Sequence, residues 1–223
     1  MFRSKSFNIN RPTILGSLIH AKSVLGISSV MDARMSIKIN EVSASEALNV
    51  TNIIMTETMD CEWKCDDSEH WLDNQQEKWN KRYDSAFSIF ELAHNKISRF
   101  IKEKKASKIN SLFFAAYFKG VPIGILSLSF ASEATFDMPE VDYLATHCGI
   151  RGCGVLLIEQ AVNKSQQLGK NGNLKLNPLS EAVPAYMEMG FVETGSHMEL
   201  HPIERNDKWK YDGTTKTYRY RFK

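Results

Sequence analysis

Gly149-Ile-Arg-Gly-Cys-Gly154, followed by Val155-Leu-Leu-Ile-Glu-Gln-Ala-Val162 and closed by Leu168-Gly169, is a glycine-punctuated turn that opens directly into an amphipathic helix. Three glycines within six residues let backbone N–H groups turn inward without interference from Cβ atoms. A helix N-terminus adds unpaired donors and a positive partial charge. Together these make a cradle for an anion, most often a phosphate. The bland alternative is a tight strand-to-helix connection that holds nothing.

The flanking segments narrow the choice. Upstream, Val141-Asp-Tyr-Leu-Ala145 is β-prone and suits a buried strand feeding the turn. Downstream, Asn173-Leu-Lys-Leu176 alternates as a short strand, and Leu179-Ser-Glu-Ala-Val-Pro-Ala-Tyr-Met-Glu-Met-Gly-Phe191 follows. With these in place the chain resembles the GNAT superfamily of acetyl-CoA-dependent N-acetyltransferases. That family carries a splayed strand, a loop of pattern Gln/Arg-x-x-Gly-x-Gly/Ala and a helix. A later run reads Asn-x-x-Ala-x-x-Phe-Tyr-x-x-x-Gly-Phe. Gly152 and Gly154 fall on the loop's last two positions, and Ala182, Tyr186, Gly190 and Phe191 match the run without a gap. Gly149 stands at the Gln/Arg position, with Arg151 two residues on. Leu179 replaces the usual Asn, with Ser180 beside it. Pro184 is expected to kink or shorten the second helix. The resemblance spans roughly residues 35–200 and is best over 141–191.

At 223 residues, 43% hydrophobic and 24% charged, the chain can bury one sizeable core. A net charge of +2 gives no global field towards nucleic acid or anionic lipid. No apolar run approaches the roughly eighteen residues of a membrane span. Cys61 and Cys65, then Cys148 and Cys153, lack the spacing of common zinc sites, and read as reduced thiols of a cytoplasmic compartment. His147 beside Cys148 suggests a ligand or a Cys–His nucleophile, but neighbours on a turn point in different directions.

Residues 1–34 form a distinct, acid-poor extension, with Arg3, Lys5, Arg11 and Lys22 and no acidic residue before Asp32. Such leaders occur in organellar transit peptides and resemble the export signals of bacterial injected effectors. An extension with no role explains the composition equally well. Ser36 to Val42 alternates as a first strand, and Ser43-x-x-Glu46 is a capping box opening a helix through Ile54. A helical, aromatic insertion at about 57–105 (Trp63, Trp71 and Trp79 among its residues) shapes the acceptor groove or forms a homodimer interface. Leu112–Phe118 and Val121–Ser129 form a hairpin about Lys119-Gly120. Met198–His201 and Thr217–Phe222 are expected strands. The fold class is therefore α+β. By the resemblance it is a GNAT-like, mostly antiparallel sheet splayed at the cofactor strand, one domain over 35–223.

The resemblance implies acetyl-CoA as co-substrate, with no metal and an amine acceptor on a protein or small molecule. Gly149, Ile150, Arg151, Gly152, Cys153, Gly154 and Val155 would hold its diphosphate, and Ser180 would take the place of the missing Asn. A lysine-type amine is neutral only about once in two to three thousand molecules at pH 7, a cost of roughly 4.6 kcal/mol. A carboxylate base recovers part of that. Asp142 is the first candidate, ahead of Glu140 and His147. Tyr186 falls on the family's tyrosine acid and would protonate the leaving thiolate. Backbone N–H groups near Leu144 and Ala145 would meet the oxyanion. Two other readings stay open, namely a silent module that binds CoA or a partner protein, and an effector or toxin-activating acyltransferase acting on a protein.

Overall fold

The computed structural model describes residues 34–65, 74–103, 109–131 and 138–222. The leader up to residue 33 and Trp71 lie outside them. β1 (Ile37–Val42) alternates as expected. Ser43 then caps α1 (Ala44–Ile53), its Oγ accepting the Glu46 N–H at 3.2 Å. The helix does not stop at Ile54 but widens into a π-helical turn over Ile54–Thr58, followed by a 3₁₀ turn at Cys61–Trp63. The helical insertion is thus broken, and its main body is α2 (Asn74–Lys102). Tyr83, Phe90, Ala93 and Ile97 make its buried stripe at helical spacing.

β2 (Ile109–Phe118) and β3 (Val121–Ala131) form the expected hairpin. Lys119 and Gly120 both have positive φ, 49° and 85°, the pairing that a two-residue type I′ turn requires. β4 (Glu140–Thr146) pairs antiparallel with β3. α3 (Cys153–Gln167) leads to β5 (Leu174–Leu176). After a 3₁₀ turn at Ser180–Ala182 come α4 (Val183–Met189), β6 (Val192–Thr194) and β7 (His197–Leu200). The sheet order is β1-β2-β3-β4-β5-β7-β6, and only β4 and β5 run parallel. This is the expected α+β architecture.

Alternate strand residues point to opposite faces. A Cβ placed on Gly124 would lie 3.2 Å from Cys153 Sγ and from Leu157 Cδ1, so that face of β3 carries α3. α1 and α2 cover the other, where His147 Nε2 donates to Thr58 O at 2.8 Å.

One expectation needs correction. Pro184 does not kink α4; it sits in the first turn, where no amide donor is needed, and starts the helix. The strand expected from Thr217 is present, and it lies outside the main sheet. β8 (Trp209–Asp212) and β9 (Thr217–Tyr220) form a separate hairpin on the outer side of α3. Asn163 binds both the N–H and the C=O of Tyr218, at 2.7 and 3.0 Å, and Glu159 accepts the Tyr220 N–H at 2.8 Å. The two α3 side chains satisfy a strand edge that would otherwise be bare. Glu159 is also held by both terminal nitrogens of Arg34, at 2.6 and 2.7 Å, so the last residue of the expected leader belongs to the core.

Candidate functional site

β4 and β5 are paired only at Glu140↔Lys175 and Val141↔Leu176. From Asp142 onward β4 has no partner on that side, so the two strands part and leave a slot. The cause on the β3 side is a bulge. Ser127 opposes Tyr143 and Leu128 opposes Val141, which leaves Asp142 as an extra residue. The His147 N–H donates to Ile123 O at 2.7 Å. By the alternation of an antiparallel ladder, residues 143, 145 and 147 spend their backbone groups on β3, while Leu144 and Thr146 aim theirs into the slot. Leu144 therefore fits an oxyanion donor. Ala145 does not, because its N–H is committed to β3, and Thr146 takes its place on the open edge.

The glycine turn ends the slot. Gly152, at φ 79°, is the left-handed N-cap of α3, a conformation glycine adopts without strain. Among the described residues, no acceptor is found for the N–H groups of residues 151 to 155. The first helical bond is Leu156 N–H to Gly152 O. Five successive free donors at a helix N-terminus are the arrangement that can receive an anion. Gly149 and Ile150 drop out of it. Their N–H groups go to His147 Nδ1 at 3.0 Å and His147 O at 3.1 Å. A Cβ on Gly149 would lie 3.2 Å from the Trp63 ring and 3.3 Å from the His147 ring. A side chain at 149 would therefore press on these two rings, which favours the glycine that stands there. Gly154 is different, since a Cβ there would meet only Leu144, Met189 and Thr146 side chains at 3.7–4.0 Å. Its open side faces the slot.

His147 is fully buried, 4.4 Å edge-on from Trp63. Nδ1 accepts and Nε2 donates, which fixes one neutral tautomer. Burial, opposed by the Thr58 carbonyl, lowers its pKa to about 4. With both nitrogens occupied it holds the turn and is no base. Cys148 and Cys153 are buried, burial pushes the Cys153 thiol up to about 12, and both His147 nitrogens are bonded to the backbone, so His147 is not placed as the base of a Cys–His pair.

Asp142 is exposed on the α2 face, its carboxylate accepting the Ser127 and Ser129 hydroxyls at 3.1 and 2.9 Å. Crowding by the surrounding protein raises its pKa, and the two serine bonds oppose the rise. Glu140 is engaged by Asn177 at 2.9 Å. Tyr143 is buried beside Asp142, and among the described residues its hydroxyl has no hydrogen-bond partner within bonding geometry. No local signal marks this phenol, because alternation alone reads it as core.

Tyr186 lies on α4, its ring edge-on to Phe191 at 5.5 Å. Burial raises its pKa to about 12, so it stays protonated at neutral pH. Trp209, which sequence reasoning missed, seats this short helix by donating Nε1–H to Met189 O at 2.8 Å. Ser180 is exposed at the start of the 3₁₀ turn. The arrangement offers an anion cradle, an open strand edge, a carboxylate on one side and a protonated phenol on the neighbouring helix.

No protein-family model matches the sequence, and no curated protein is similar to it. Among solved structures, the PaiA N-acetyltransferase of Thermoplasma acidophilum in complex with coenzyme A is 21% identical. That match covers 74% of this chain and 98% of the other at a TM-score of 0.42. An acetyltransferase of the GNAT family from Streptococcus pneumoniae is 17% identical, with 74% and 98% covered and a TM-score of 0.43. An N-acetyltransferase from Staphylococcus aureus Mu50 is 13% identical, with 74% and 95% covered and a TM-score of 0.40.

Proposed function

We propose that this protein is an N-acetyltransferase of GNAT type, taking acetyl-CoA as co-substrate and an amine of a protein or small molecule as acceptor. One observation carries the reading. β4 leaves β5 after two paired residues, and the slot so opened ends at five free N–H groups on the start of α3.

In this reading the diphosphate rests on the N–H groups of residues 151–155, and the pantetheine arm pairs with the β4 edge at Leu144 and Thr146. The amine nitrogen attacks the thioester carbon, and the carbonyl oxygen takes negative charge against the Leu144 N–H. Asp142 accepts the amine proton, directly or through one water, and its raised pKa makes it a stronger base. The C–S bond then breaks and Tyr186 donates its proton to the thiolate.

Thermal melts with acetyl-CoA test the assignment. At about a hundred times Kd the stabilisation is about 2.7 kcal/mol, or roughly 5–11 °C for a chain of this size. Gly154→Trp fills the slot and removes the shift. No shift in wild type at millimolar acetyl-CoA refutes the cofactor.

A further inference from the structure

α2 spans the mouth of the slot. On one side, Trp79 Nε1–H donates to Trp63 O at 2.6 Å, and Trp63 packs on Gly149. Tyr83 donates to Met59 O at 3.1 Å, fixing the same flank. On the other side, Ser85 donates to the Glu181 carboxylate at 3.2 Å, and Lys81 lies 3.6 Å from it. Glu181 belongs to the 3₁₀ turn that precedes α4. Successive helical residues step by about 100° around the axis, so Arg82 points about 60° from both Trp79 and Ser85. Its guanidinium therefore hangs between the glycine turn and the α4 turn.

Arg151 stands on the glycine turn itself, exposed, next to the free donors. Among the described residues, neither arginine has an ion pair or a hydrogen bond. The nearby carboxylates are engaged elsewhere, Asp84 with Lys64 at 2.9 Å and Glu181 with Lys81 and Ser85. Burial first, and then the charge of Arg151, disfavour the Arg82 cation. A guanidinium keeps its proton under any such pressure, so two like charges are held near each other at the exposed mouth of the slot.

We propose that Arg82 and Arg151 form a two-guanidinium site that grips an oxyanion, phosphate or carboxylate, of a molecule lying in the slot. The geometry is a fork from α2 and a fork from the turn closing on one planar or tetrahedral anion. Two sources fit, a phosphate of CoA or an acidic group on the acceptor. This inference rests on the acetyltransferase reading for the identity of the molecule, but the anion site can be tested without it.

The experiment compares wild type with Arg82→Gln and Arg151→Gln, neither of which breaks a hydrogen bond or ion pair among the described residues. Inorganic pyrophosphate raises the melting temperature of wild type, and each variant loses most of that rise. Binding of CoA and of pantetheine, which has no phosphate, is then measured. A phosphate source predicts that Arg82→Gln weakens CoA about 10- to 100-fold and leaves pantetheine unchanged. An acceptor source predicts unchanged CoA binding. In that case Arg82→Gln raises KM for lysine by a similar factor and leaves lysinamide, without the carboxylate, alone. If the pyrophosphate rise, CoA binding and KM all match wild type in Arg82→Gln, the site is overturned. If wild type binds no CoA but the pyrophosphate rise depends on Arg82, the acetyltransferase reading fails while the anion site stands.

Discussion

A protein starting at Arg34 and one starting at Met35 differ by a single side chain, and the structure predicts that they melt far apart. Arg34 holds Glu159 through two charge-assisted bonds at 2.6 and 2.7 Å and donates to Tyr220 O at 3.3 Å. The Glu159 side chain is only 10% exposed, that of Arg34 31%. Breaking a buried pair by removing one partner costs about 3–5 kcal/mol, because a buried charge is left behind. The partial exposure of Arg34 puts this pair at the low end, about 3 kcal/mol. For a chain of this size that is roughly 6–12 °C in Tm. The Tyr220 N–H still reaches Glu159, so the variant folds. Circular-dichroism melts of the two truncations, and of each with Glu159→Gln, make the measurement. The gap should shrink when the carboxylate is neutral. Truncations that melt within 1 °C of each other would show that the pair adds nothing, and the core would then begin after Arg34. Removal of residues 1–33 should leave stability and acetyl-CoA binding as they are.

Three further outcomes are expected. Asp142→Asn lowers turnover more at pH 7 than at pH 9, where the amine supplies more of its own neutral form; an equal loss at every pH makes Asp142 structural. Tyr186→Phe reduces kcat about 10²–10⁴-fold with acetyl-CoA affinity kept and little change in Tm; wild-type turnover retires Tyr186 as the acid. His147 has a folded pKa of about 4 against 6.5 unfolded, so the unfolded chain binds the extra proton between these values. Stability is therefore lost as pH falls from 6.5 to 4, by about 3 kcal/mol, and chemical denaturation of His147→Gln across that range should show a flatter slope.

What the sequence revealed was local. Turn chemistry at Lys119-Gly120, the cap at Ser43 and the glycine loop before α3 are written in neighbouring residues, and each stands where expected. What it concealed depends on residues far apart. Gly149 reads as part of the cradle, and only the rings of Trp63 and His147 show that packing favours a glycine there. Ala145 and Leu144 are equivalent until the register with β3 decides which N–H is free. The bulge at Asp142 and the seat that Trp209 gives α4 have no local signature. Arg34 reads as one more basic residue of the leader until Glu159, 125 positions away, is beside it.

That pair also brings the two ends of the core together. The Arg34 guanidinium lies 5.2 Å from the Phe222 ring centroid. The chain therefore nearly closes on itself, and a short glycine-rich bridge from residue 222 to 34 could join the ends without spanning the molecule. New termini opened at the exposed Lys119-Gly120 turn would cut between hairpin strands while every other strand keeps its partner. A circularly permuted protein of this kind would carry its ends at the hairpin turn between β2 and β3, and would leave Arg34 with no leader before it.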